Sequence, residues 1–166
     1  IYTSQYTLSL HDALPISALR SLGWGRQVVI IQFLKNRPGG EERALEAFDN
    51  CVIHRFGRGV FLRPETIQPE DRRLAAAGLE RARAVVEKQR ADLLILDEIN
   101  VALFFNLLSP GDILTLIDQA PPEIELILTG RKCPPEIIRR ADYATRFEEV
   151  AHPGRRGVAA RQGIEY

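Results

Sequence analysis

An acidic pair, Asp97 and Glu98, directly follows four consecutive apolar residues, Leu93, Leu94, Ile95 and Leu96. A short apolar run without alternation reads as a strand buried on both faces, as in parallel sheets covered by helices. Carboxylates at the carboxyl end of such a strand stand at the edge where α/β sheets bind ligands. In nucleotide-hydrolysing proteins that edge holds Mg²⁺ attached to phosphate oxygens, the arrangement of a Walker B element. The same two side chains also suit a plainer role, capping the helix that follows. Other chemistry has less support. His11, His54 and His152 share no nucleophile motif, and Cys51 and Cys133 are too few for a metal site and read as buried free thiols.

A phosphate-cradling loop should accompany a Walker B strand, because its backbone N–H groups and lysine surround the phosphates. The string G-x-x-x-x-G-K-[ST] occurs nowhere in this sequence, which also contains no Met. The chain therefore reads as processed or as a fragment.

The surrounding elements alternate between strand and helix. Ala18–Leu22 resembles the last turn of a helix stopped by Gly23 and Gly25, and Gln27–Leu34 is a β-branched apolar strand. A short helix is expected over Gly40–Phe48, a strand over Cys51–Phe56, and a long helix from Pro69 to about Arg90 with Leu74, Gly78, Ala82 and Val85 on one face. Beyond the acidic pair come a helix around Ile113–Ile117, a strand over Ile124–Leu128, a helix from Pro134 to Ala141 and a strand over Tyr143–Val150. Such alternation implies βαβ units: an α/β fold of RecA-like P-loop type, three layers with a mostly parallel sheet and helices on both faces, lacking the P-loop strand.

Residues 1–17 look unlike the rest and are read as foreign sequence, leaving 18–166 as one domain. With 45% hydrophobic residues the chain can bury one core, and its net charge of zero gives no general attraction to nucleic acid or anionic membrane. No apolar run reaches the roughly 18 residues of a membrane span, and unpaired cysteines fit a reducing cytoplasm.

Four strings, VVIIQFLKN (28–36), LLILDEIN (93–100), LILTGR (126–131) and AHPGRRGVAARQGIEY (151–166), occur in the order in which the P-loop type of ATP:corrinoid adenosyltransferase carries similar ones. The resemblance runs from Ala18 to the C-terminus, with the family's glycine loop falling just before it, so the gap reads as a truncation. It implies that cob(I)yrinic acid a,c-diamide or cob(I)alamin attacks the 5′ carbon of ATP and that triphosphate leaves. The cobalt is itself the nucleophile, so no catalytic serine, cysteine or base is expected.

What the resemblance implies for individual residues follows the same strings. Glu98, with Asp97, would position Mg²⁺ on the triphosphate; Arg131 and Arg20 would contact the nucleotide; Val150 and His152 would line its ribose and adenine. Gly57-Arg58-Gly59-Val60-Phe61-Leu62 resembles the family's G-x-G-F-x-W, whose aromatics displace the corrinoid's lower ligand. Val60 and Leu62 replace those aromatics here, leaving Phe61, which taken alone also suits the core. Ala159-Ala160-Arg161 stands where the family has K-A-Q. The family further implies a homodimer and an electron-donating reductase or flavoprotein. The residues alone also fit a non-enzymatic nucleotide- or corrinoid-binding remnant, or part of an unrelated RecA-like ATPase.

Overall fold

The computed structural model describes residues 2–4, 10–147, 157 and 159, the first eight of these by backbone alone. Val28–Phe33 (β2) is buried at every position, the polar Gln32 included, as in a strand covered on both faces. It pairs in parallel with Cys51–Phe56 (β3) on one side and Leu93–Asp97 (β4) on the other. Glu125–Leu128 (β5) continues the sheet beyond β4, giving the order β3-β2-β4-β5. All four strands therefore end at one edge.

Because side chains alternate across the sheet, its two faces collect separate cores. Val28, Ile30, Leu93, Ile95 and Ile127 meet Ala18 and Leu22 of Leu10–Gly23 (α1) and Leu45 of Gly40–Leu45 (α2). Val29, Ile31, Phe33, Leu94, Leu96 and Leu128 meet the other helices: Pro69–Glu87 (α3), Ile99–Phe104 (α4), Pro110–Gln119 (α5) and Pro135–Arg140 (α6). The result is the three-layer arrangement expected, a parallel α/β sheet consistent with a RecA-like P-loop protein.

Several details differ from the expectation. The turn at Ala18–Leu22 closes a longer helix that begins at Leu10 and passes through Pro15. Tyr2–Ser4 (β1), within the segment read as foreign, pairs in parallel with Thr145–Phe147 (β6) in a separate two-stranded sheet. Helix α4, six residues long, was foreseen only as the helix that the acidic pair would cap, without bounds. On α3 the buried face is carried by Ala75, Gly78, Leu79, Ala82, Val85 and Val86, while Leu74 lies at its half-buried margin. Cys51 and Cys133 are free thiols, half-buried rather than buried, and burial pushes the Cys133 thiol up to about 12.

Candidate functional site

The strings Q-F-x-K, D-E-x-N and T-G-R converge because parallel strands deliver their carboxyl ends to one edge. Gln32 of β2 lies directly beside Asp97 of β4 in the sheet register. Its amide donates to Asp97 Oδ2 at 3.1 Å and to Glu42 Oε1 at 2.5 Å. Lys35, one turn beyond β2, places its ammonium 3.0 Å from Asp97 Oδ2 and 3.4 Å from Glu42 Oε1. Thr129, just past β5, donates its hydroxyl to Asp97 Oδ1 at 2.8 Å and accepts the Glu98 N–H at 3.0 Å. Glu42 also accepts the Gly39 N–H at 2.5 Å, so the residue that caps α2 belongs to the same network.

Both oxygens of Asp97 are thus engaged within the protein. Burial alone would raise its pKa, but Lys35 and the Thr129 hydroxyl outweigh that and hold it below the ordinary carboxylate value. Burial alone would likewise lower the pKa of Lys35, yet Asp97 and Glu42 raise it, so the ammonium is permanent. Glu98 behaves oppositely. No hydrogen bond reaches its carboxylate among the described residues, and burial together with the neighbouring Asp97 charge pushes it up to about 7. Lys35 and Arg131 only partly offset that rise. Two adjacent carboxylates have been driven apart in proton affinity, a pattern that marks functional sites.

The backbone at this edge is unusual as well. Leu34 after β2, Glu98 after β4 and Lys132 after β5 all have positive φ, at 67°, 60° and 62°. Non-glycine residues adopt that region at a cost, and such positions cluster where a site imposes geometry. Gly130 has φ +117°, and a Cβ there would press within 3.1 Å of Asn100 and Val101. Asn100 donates to the Gly130 carbonyl at 3.3 Å and its N–H to the Thr129 carbonyl at 3.0 Å, tying α4 to the end of β5. The D-E-x-N and T-G-R strings are two halves of one joint.

The plainer role for the acidic pair is not what the structure shows. Glu98 occupies the N-cap position of α4 but makes no side-chain cap bond, and the carboxylate of Asp97 is committed elsewhere. The donor set fits Mg²⁺, which is held by one or two carboxylates with phosphate and water oxygens rather than by an all-protein cage. Of the two carboxylates, Glu98 is the one with no hydrogen-bonded partner among the described residues.

Arg131 lies at the same edge, half-buried, close enough to Glu98 to stabilise its charge. Arg20 is exposed on α1. Val150 and His152 lie outside the described residues. Phe61 is 75% exposed and belongs to no core; Leu62, at 7%, takes the core position instead. The reason is the direction of the loop, which turns Leu62 inward. Gln32, Lys35, Glu42, Thr129 and Asn100 were not singled out from sequence. A buried glutamine ending an apolar strand, followed three residues later by lysine, was the available signal.

A parallel sheet whose carboxyl edge gathers an acidic pair, a threonine and basic side chains is consistent with the RecA-like P-loop class. Within that class, residues 13–166 match the family model ATP:corrinoid adenosyltransferase BtuR/CobO/CobP, and the chain belongs to that transferase family. A corrinoid adenosyltransferase of Pseudomonas aeruginosa is 33% identical over 153 residues, covering 89% of this chain and 73% of its own length. One from Sinorhizobium sp is 28% identical, covering 89% and 70%, and one from Escherichia coli K12 is 26% identical, covering 90% and 76%.

Proposed function

We propose that the chain carries the ATP- and corrinoid-facing edge of an enzyme that transfers the 5′-deoxyadenosyl group of ATP to cob(I)yrinic acid a,c-diamide or cob(I)alamin. The observation that carries this reading is the convergence of Gln32, Lys35, Asp97, Glu98 and Thr129 at one sheet edge. The cobalt supplies the electron pair that forms the bond to C5′. The C5′–O bond breaks, and its electrons leave with the triphosphate.

The protein's part is to place the reactants and to stabilise charge on the leaving group. Asp97, locked by Thr129, Gln32 and Lys35, fixes the turn that carries Glu98. Glu98 would hold Mg²⁺, which when bound would neutralise charge developing on the phosphate oxygens. Arg131 can offer a planar fork to the same oxygens, and Arg20, Val150 and His152 are proposed to contact the remainder of the nucleotide. Phe61 is proposed to meet the corrinoid. A homodimer, an electron-donating flavoprotein or other reductase, and a cytoplasmic setting complete the reading. Neutral net charge and, among the described residues, the absence of any helix long and apolar enough to cross a membrane are compatible with it.

The 166 residues by themselves are proposed to bind ATP weakly, since Asp97 and Glu98 offer negative charge to a polyanion and no G-x-x-x-x-G-K-[ST] cradle stands beside them. The test therefore uses a form carrying such a loop upstream, incubated with ATP, Mg²⁺ and cob(I)alamin. Adenosylcobalamin and triphosphate are the expected products. ADP and phosphate without a cobalt–carbon absorption band would replace this reading with an ATPase.

A further inference from the structure

The loop Gly57–Leu62 is tethered far more strongly than an exposed loop requires. Arg58 sends a two-pronged fork into Asp71 at the start of α3, Nε to Oδ1 at 2.7 Å and Nη2 to Oδ2 at 2.8 Å. The same Nη2 donates to the Thr66 carbonyl at 3.0 Å, while Asn36 donates to the Arg58 carbonyl at 2.8 Å. Asp71 is buried and also accepts the Gln68 N–H at 2.8 Å. Two glycines bring the loop close to the strand edge. A Cβ on Gly57 would collide with the backbone of Leu34 and Lys35, and Gly59, at φ +68°, lies against the Asn36 amide.

What this tether presents is apolar. Phe61 is 75% exposed and Val60 46%, beside a buried Leu62. An unconstrained loop would let Phe61 fold back onto nearby apolar surface and leave water. The Arg73–Glu70 pair on the same helix is two-pronged as well, but it is exposed, whereas in the Arg58–Asp71 pair the carboxylate is buried. A loop held in its binding shape loses less conformational freedom when a ligand arrives.

We infer that Arg58 and Asp71 are positioning residues that hold Phe61 and Val60 as a preformed apolar platform for the flat face of the corrinoid. This rests on the proposal that Phe61 meets the corrinoid, and it concerns how that contact is held in place.

The test is anaerobic titration of the full chain with cob(II)alamin, followed by absorption, for wild type, Phe61→Ala, Arg58→Ala and the double variant. Each single change is expected to weaken binding about tenfold, and adding Arg58→Ala to Phe61→Ala to change it less than about twofold. Arg58→Lys should not restore affinity, since an ammonium cannot bridge both Asp71 oxygens. No saturable binding by wild type, or an unchanged Phe61→Ala, would overturn the corrinoid contact itself. Weakened Phe61→Ala with unaffected Arg58→Ala would overturn the clamp alone. So would a full tenfold loss from Arg58→Ala on top of Phe61→Ala, which would mark a general structural effect. Should Arg58→Ala fail to fold, Arg58→Lys carries the same cycle.

Discussion

Around Asp97 charged groups are buried and bonded to one another before any ligand arrives, whereas the Gly57–Leu62 loop uses a single half-buried ion pair to keep an apolar ring in water. The first arrangement fixes charged groups at the sheet edge; the second keeps apolar surface exposed. Their costs differ accordingly. Removing one member of a buried charge network strands its partners, while trimming an exposed ring removes almost nothing from the fold.

Asp97→Ala should be the most damaging single change. It leaves Lys35 facing only Glu42 and deprives Gln32 and Thr129 of a partner, so a loss of about 3–5 kcal/mol is expected. Urea unfolding of the purified variant measures it, and a loss no larger than that of an exposed pair would mean that the network is not prebuilt. Glu98→Gln should do the reverse, sparing stability but lowering Mg²⁺-dependent turnover of a loop-bearing form by about a hundredfold, roughly 3 kcal/mol of charge stabilisation. Steady-state rates across a Mg²⁺ titration decide this. Thr129→Val falls between them: it removes the donor to Asp97 and the acceptor for the Glu98 N–H, and should cost about 1–3 kcal/mol in thermal or urea unfolding.

Acidity offers a finer probe of the same region. Glu98 holds its proton up to about pH 7 in the folded protein, against an ordinary value of 4.5. Between those values the unfolded chain has released a proton that the folded chain retains, so this group's contribution to stability falls as pH rises through that window and stays lost above it. Glu98→Gln should remove that slope. Its melting temperature relative to wild type should therefore climb from about pH 4.5 to about pH 7. A constant difference would show that Glu98 is ionised throughout. The smallest effect belongs to the loop: Phe61→Ala should shift unfolding by less than about 0.5 kcal/mol while it weakens corrinoid binding, and a larger shift would mean that the ring packs in the core after all.

Much of this was legible in the chain itself. The run Leu93–Leu96 before two carboxylates is too short for a helix and too apolar for an exposed strand, so both the buried strand and the acidic edge follow from local pattern. The strand–helix alternation fixed the layer order for the same reason. The bounds of helix α4 were hidden because it is only six residues long and its start depends on Glu98 adopting a left-handed backbone, which no propensity signals.

Sequence also supplied the strings Q-F-x-K, D-E-x-N and T-G-R, but not that they are neighbours, or that Glu42 from α2 joins them. Those contacts join residues 10 to 65 positions apart and exist only because parallel strands end at a common edge. The differing fates of Asp97 and Glu98, adjacent in the chain and both carboxylates, could not be separated from sequence: proton affinity depends on which charges and donors surround each group. The exposure of Phe61 was likewise decided by the tertiary structure, through a buried aspartate 10 residues along that grips Arg58 and turns Leu62, rather than Phe61, into the core.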